Sequence, residues 1–454
     1  MKKLAIAAAV AASAIVAGAA DIYVSLETGK NKNPGTKEAP LKNLWKALEN
    51  AKDGDVIHLA EGVYPGKMKQ NWFLIDKAVS ILGGYSKDFA ERKPLEHKTM
   101  FQALNENNDK KGTGLGVFTI DFTKQAKQPE GVDMKFDGLI FDEGFANSYH
   151  ETKGKPEGFD TGMWLEGPAM NKTRDKFPSA NRYLVYSATA NRVTGKISFT
   201  NCAFVNSGNI AFNVTWYQGE VVVENCVFCN NRMIGANVLC SKAIPQDGPN
   251  KPKAGWKPEV NWLFKNNTVL FTWSRLKDMG DMGYAFRYNN RTDSYVHHNI
   301  FGCSVFAALD RGRTDTPKDR EARKVTTSEH NMFFLNKRGD LALPGGGMFM
   351  MVNCEDFEEV EQLAEIDGCV RLKDPSVLKG KINEAYLNGF INVSYKESLS
   401  SDPNSPENQF RSAMGMNQTG KMTSSATMFA NRYPFDDALK MFGAIKDFGA
   451  QLPK

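Results

Sequence analysis

An all-β solenoid of stacked coils is the architecture this 454-residue chain predicts. The first observation is a recurring motif of a hydrophobic residue, a spacer, a polar pair and apolar residues. Its copies are Phe199-Thr200-Asn201-Cys202-Ala203-Phe204, Val223-Glu224-Asn225-Cys226-Val227-Phe228, Phe264-Lys265-Asn266-Asn267-Thr268-Val269, Val296-His297-His298-Asn299-Ile300-Phe301 and, more loosely, Glu329-His330-Asn331-Met332-Phe333. The second is the spacing. Asn201 and Asn225 are 24 residues apart, and 32 residues separate Asn266 from His298 and His298 from His330. Periods of about 20 to 50 residues with strand-like content mean a solenoid. The third is strict alternation in the segments that follow the motif, which gives each strand one apolar face.

The elements follow in chain order. Lys2 and Lys3, the apolar run Leu4 to Val16 and the small residues Ala17-Gly18-Ala19 predict a signal peptide over 1–19. The run is too short to cross a bilayer, so it predicts export to the periplasm, cell surface or medium rather than a membrane span. Residues 41–52 place Leu41, Leu44, Trp45 and Leu48 on one face at helical spacing. An amphipathic helix just before the first strand predicts a cap over the open end of the solenoid. Asp53-Gly54-Asp55 is a turn, and Val56-Ile57-His58-Leu59 opens the strands. Further strands fit 78–82, 117–120 and 134–136. Inserts interrupt the period from 143 to about 182 and near 241–260, 274–282 and 312–324. Insertions in solenoids emerge as loops, often on one side. The β-helical body is expected over 20–345. Residues 346–454 lack the repeat and are expected to run back along the body or cap its far end.

Composition sets bounds. With 41% hydrophobic and 24% charged residues the chain has an ordinary globular make-up. The net charge of +5 falls to +3 without Lys2 and Lys3, which argues against a nucleic-acid partner but leaves room for local basic patches. Seven cysteines are an odd number for an exported protein, and a disulfide scaffold is not expected to hold it together. Cys202 and Cys226 occupy equivalent motif positions and predict buried, stacked residues. Cys354 and Cys369 flank a short segment and are the pair best placed for a disulfide.

The segments Ile22-Tyr23-Val24-Ser25, Gly29-Lys30-Asn31-Lys32-Asn33-Pro34-Gly35-Thr36 and Gly54-Asp55-Val56-Ile57-His58-Leu59-Ala60-Glu61-Gly62-Val63-Tyr64 resemble the start of secreted right-handed parallel β-helix proteins of the pectin-lyase-like superfamily. Gly83-Gly84-Tyr85-Ser86-Lys87-Asp88-Phe89 looks like the next coil of bacterial members. The resemblance spans about 21–345. It implies a family of polysaccharide lyases, glycoside hydrolases, epimerases, adhesins and proteins without known activity. Function therefore rests on the site and not on the fold.

Four segments carry the candidate site: 210–217, 234–240, 284–290 and 305–311. Alternation puts Ile210, Phe212 and Val214 in the core, with Ile234, Ala236 and Val238, Tyr284, Phe286 and Tyr288, and Val305, Ala307 and Leu309 beside them. The outer face then carries one column of Asn213, Asn237, Arg287 and Ala308. A second column holds Thr215, Leu239, Asn289 and Asp310. Coils stack at roughly 4.8 Å, so Arg287, Asn289 and Asp310 are expected within reach of one another. Among these, Arg287 and Arg311 are the catalytic candidates, and Asn213, Asn237, Asn289 and Asp310 the substrate-binding ones. A lyase acting on a uronate needs a base and a cation that steadies enolate-like charge. Ca²⁺ held by Asp310, Asn289 and Asn237 is one way to supply that charge, although no dense acidic cluster marks a metal site. Hydrolysis needs two carboxylates, and Asp310 has only Asp293 or Asp315 within conceivable reach. The bland alternative is an Arg287–Asp310 ion pair between coils. The motif asparagines, His298 and His330 are expected in turns, and Trp216, Tyr217, Trp262 and Trp273 either in the core or stacked on sugar rings. The expected partner is an acidic polysaccharide, cleaved by β-elimination or merely bound by a surface or adhesin-like protein.

Overall fold

The computed structural model describes residues 19–67, 71–102, 116–143, 183–243, 245, 253, 255, 257–273, 282–289, 291–311, 326–345, 348–360, 365–394, 402–416 and 433–453. The expected signal peptide lies outside them apart from Ala19.

Strands assemble into three long sheets, of ten, nine and nine strands. Each coil contributes one strand to each sheet in turn. Thus Thr194–Thr200 belongs to the first sheet, Ala203–Val205 to the second and Phe212–Trp216 to the third. All inter-coil pairing between named strands is parallel except where Gly339–Gly345 meets Met348–Val352. The ladders run past 345: Glu365–Asp367 and Val370–Arg371 extend the first and second sheets.

The motif marks the corner between the first and second sheets. Asn201, Asn225, Asn266, His298 and His330 all have positive φ, from 49° to 58°. Asn tolerates this left-handed region better than most residues, which explains its recurrence. One position later the side chains turn inward. Asn267, Asn299 and Asn331 are fully buried and bond from coil to coil. Asn299 Oδ1 accepts from Asn267 N (2.8 Å), and Asn331 Oδ1 from Asn299 N (2.9 Å). Each Nδ2 also donates to a strand carbonyl. Cys202 and Cys226 fill the same inward position in the earlier coils, buried and as free thiols. Behind them, Phe101, Phe141, Phe204 and Phe228 stack in register, with ring centroids 4.6–5.2 Å apart.

The capping helix is shorter than expected. Helix α1 (Leu44–Asn50) buries Leu44, Ala47 and Leu48, while Trp45 stays half-buried at its edge. No helix among the described residues is long and apolar enough to cross a membrane. The C-terminal region folds back over the second sheet through helices α2 (Glu384–Ser394), α3 (Pro406–Ala413) and α4 (Phe435–Leu439). Tyr386 Oη donates to Asn230 Oδ1 (2.6 Å), and Gln451 N donates to Asn225 Oδ1 (2.6 Å). Tyr386, Phe390, Phe410 and Tyr433 share a buried cluster with Leu270, Phe271 and Trp273. This covers the outer side of the second sheet. The first sheet's outer side carries paired charges, such as Lys196–Glu220 at 3.3 Å, of the exposed kind that contributes little. All seven cysteines are free, so Cys354 and Cys369 are not bridged.

Candidate functional site

The third sheet's outer face carries the residues singled out above. Its register joins Thr119 to Tyr186, Tyr186 to Asn213, Asn213 to Asn237, Asn237 to Arg287 and Arg287 to Asp310. The last pairing corrects the expected alignment by two residues. Asp310, and not Ala308, follows Arg287, because Tyr284 aligns with Ala307 and Phe286 with Leu309. A two-residue slip keeps the faces and changes the neighbours. Asp310 therefore joins Asn213 and Asn237 in one column.

Hydrogen bonds knit the column. Asn237 Nδ2 donates to Asn213 Oδ1 at 2.7 Å. Asn289 Nδ2 donates to Asn237 Oδ1 (2.7 Å) and to the Val238 carbonyl (2.6 Å). Arg287 Nε donates to Asp310 Oδ2 at 2.5 Å, and its guanidinium lies 5.4 Å from the Tyr284 ring centroid. Access differs along the column. Asn213, Asn237 and Asp310 are buried, whereas Arg287 and Asn289 are partly open and the Arg287 side chain is 24% exposed. The face is less of an open wall than alternation alone implies.

Two further expectations are corrected. Ile210, Ile234, Tyr284 and Ala307 are not in the central core. They form a separate buried cluster with Met233, Phe306 and Ala342, because Gly235 and Ala285 take the corner that alternation gave to a larger residue. Arg311 does not join Arg287. It is 2% exposed, and its guanidinium sits 5.9 Å from the ring centroid of Tyr288, a core residue. Trp216, Trp262 and Trp273 are all interior side chains. Tyr217 is half-buried, flanked by Arg192 and Lys242, each 5.5 Å from its ring centroid. Asp293 lies in the first sheet opposite Asn261, and so cannot pair with Asp310 across the third sheet. Asp315 falls outside the described residues.

Asp310 is ion-paired, and the described residues gather no group of three metal-ligating side chains around it. Among them, the one such group is Asp340, Cys354 and Glu355 near the C-terminal end of the body. Arg371 already neutralises it. Its Nη2 lies 2.7 Å from Asp340 Oδ2, and its Nε lies 2.7 Å from Glu355 Oε1. The guanidinium holds the Glu355 carboxyl down at about 2, while burial pushes the Cys354 thiol up. Arg371 stands where a cation would sit, so this cluster is a structural clamp. No sequence signal linked these four residues, which come from three separate segments.

Residues 27–99 match a family described as a protein of unknown function, DUF1565, a right-handed β-helix family. No curated protein matches the chain. Among solved structures, one titled rhamnogalacturonan lyase aligns at 12% identity and a TM-score of 0.30, over 89% of this chain and 97% of that one. The GH136 lacto-N-biosidase from Eubacterium ramulus aligns at 10% identity and a TM-score of 0.20, over 71% and 68%. These likenesses are too slight to bear on chemistry. Three parallel sheets wound as successive coils, with a β-helix family match over the first of them, make this chain a right-handed parallel β-helix protein.

Proposed function

We propose that this chain, exported by its N-terminal leader, binds an acidic, uronate-containing polysaccharide along the outer face of the third sheet and cleaves it by β-elimination. The observation that carries the reading is Arg287: a partly open guanidinium, fixed by a buried carboxylate and flanked by bonded asparagines. A fixed guanidinium fork suits a carboxylate better than a mobile ammonium does. In β-elimination a base takes the proton next to the carboxylate. The glycosidic C–O bond then breaks, a double bond forms between the two carbons, and the departing oxygen takes up a proton. Arg287 would hold the substrate carboxylate and steady the negative charge that builds on it. Asn289, partly open, would orient a sugar hydroxyl, with the buried Asn237 holding its amide. Were Ca²⁺ to add to the neutralisation, it would need ligands other than Asp310, which is buried and ion-paired.

A second reading has an observation of its own. Arg287 is already paired with Asp310, which suits a charge that recognises more than a group that removes a proton. On that reading the protein binds without cleaving. Ultraviolet absorbance of unsaturated uronate products, followed over a panel of acidic polysaccharides with and without chelator, separates the two. Growing absorbance establishes the lyase. Binding without products establishes the binding protein. Loss of cleavage with chelator implicates the cation.

A further inference from the structure

A groove of about 340 Å³ opens beside helix α1 at the N-terminal end of this same face. Trp45, from α1, and Trp72, just before the strand Phe73–Ile75, both line it. The volume lies within the range of small-ligand sites, which combine aromatic walls with a few polar groups. Among the described tryptophans these two stand apart. Trp216, Trp262 and Trp273 are at most 1% exposed, whereas Trp45 and Trp72 are only half-buried.

Both rings are held in place. Trp72 points outward because Phe73 and Ile75 point into the core. Its Nε1 donates to Thr119 Oγ1 at 3.1 Å. The backbone before it is folded tightly, with Asn71 N donating to the Pro65 carbonyl at 2.7 Å. Gly66 has φ +74°, and a Cβ there would meet Trp72 N at 2.8 Å, so the turn depends on glycine. Trp45 is steadied by Lys67, whose ammonium lies 5.0 Å from its ring centroid.

Register makes the groove continuous with the candidate site. Leu74, two residues after Trp72, pairs with Thr119, and Thr119 leads through Tyr186 and Asn213 to Asn237 and Arg287. Five coil steps separate the Trp72 end from Arg287. At roughly 4.8 Å each they span about 24 Å. The groove's own charges are largely paired among themselves. Lys67 meets Glu49 at 2.9 Å, and Lys77 meets Asp76 at 3.1 Å and the Leu48 carbonyl at 3.0 Å. An almost neutral, aromatic-lined groove suits the C–H face of a sugar ring, against the electron-rich indole faces, and not a sugar's carboxylate.

We infer that Trp45 and Trp72 form a distal sugar-stacking subsite that grips the far end of the polysaccharide bound at Arg287. This rests on the reading of the third-sheet face given above. It divides the work: Arg287 reads acid, and the tryptophans read ring faces about 24 Å away. Only a chain long enough to span both gains from the second contact, by the logic of linked sites.

The test is binding of a graded series of oligogalacturonides and oligoglucuronides to the whole protein, followed by calorimetry and tryptophan fluorescence. Affinity should rise once the ligand spans both points. Trp45→Ala and Trp72→Ala should each remove about tenfold of that rise, on the scale of an aromatic anchor, and leave short ligands unaffected. Trp72→Phe, which keeps a flat ring, should retain most of it and guards against misfolding of the alanine variants. Short ligands that bind as tightly as long ones overturn the subsite while sparing the Arg287 reading. An equal loss for short and long ligands also overturns it. Failure of every length to bind overturns both.

Discussion

Arg287 donates from Nε to the Asp310 carboxylate across one coil step, at 2.5 Å, and that carboxylate is fully buried. Register alone brings them together. The guanidinium is therefore a structural partner as well as a candidate for recognition. Arg287→Ala should lower stability by about 1–3 kcal/mol, the usual cost of removing a partner from a buried acceptor. Arg287→Ala combined with Asp310→Asn should recover part of it. Denaturant melts of the single and double variants check this. An unchanged midpoint in Arg287→Ala would mean that Asp310 does not depend on it.

The buried amide ladder should be costly to break. Asn299 receives Asn267 N and donates to the Phe264 carbonyl. Asn299→Ala leaves both without partners, so a loss of at least about 2 kcal/mol is expected. Asn266, at the half-buried left-handed corner one residue before Asn267, should be far more tolerant of Gly, which suits its φ of 53°. Similar losses at the two positions would show that the ladder does not carry stability.

Core register is tested with Phe212 and Phe286. Both are fully buried, and Phe286 stacks on Trp262 at 4.2 Å. Phe→Ala at either should cost about 3–5 kcal/mol. Lys196→Ala, on the open first sheet, should stay within about 0.5 kcal/mol. Equal effects in urea melts would contradict the register.

Acid should weaken the corner where His297, His298 and His330 meet. His297 Nδ1 lies 3.2 Å from His298 Nδ1, and the His298 and His330 rings stack at 5.0 Å. Burial first, then the neighbouring His298, Lys265 and His330, depress the His297 imidazole to about 4. Burial also lowers His298, helped by His330 and Lys265 and opposed by Glu329 and Asp447. In the unfolded chain these rings take protons near 6.5. The unfolded state thus binds more protons below that value, and the contribution is lost as pH falls from about 6.5 towards about 4. Melting midpoints across this range should fall, and His297→Gln should flatten the slope. A wild-type slope in the variant would assign the loss to other groups.

Free thiols make the fold indifferent to reductant. All seven cysteines are unbridged. Dithiothreitol should leave the melting midpoint unchanged, and intact mass should show no disulfide. A drop on reduction would reveal a bridge that the structure lacks.

The fold was legible because its signals are local and repeated. Asn201, Asn225 and Asn266 announce a left-handed corner by residue type, and strand alternation finds the inward Phe212 and Phe286. What alternation could not find is how one coil sits on the next. The shift that sets Asp310 beside Arg287 arises between Tyr284–Arg287 and Ala307–Asp310, where alternation alone leaves the phase open. The corner at Gly235 and Ala285, which turns Ile234 and Tyr284 outward, also breaks strict alternation. Arg311, a catalytic candidate in the sequence, comes one residue after Asp310, and one step along a strand reverses the face. The Trp45–Trp72 groove has no motif, since α1 and the first third-sheet strand meet only in three dimensions. Arg371 with Asp340 and Glu355 is hidden for the same reason.

The central claim is that the outer face of the third sheet takes an acidic polysaccharide through Arg287. Binding of polygalacturonate to the wild type and to Arg287→Lys, at low and high salt, tests it most directly. The lysine keeps the charge beside Asp310 but loses the fork, so folding should survive. The account predicts wild-type binding that weakens with salt and at least about tenfold weaker binding by Arg287→Lys, on the scale of one lost charge-assisted hydrogen bond. Equal affinity of the two proteins, with intact folding, would contradict it.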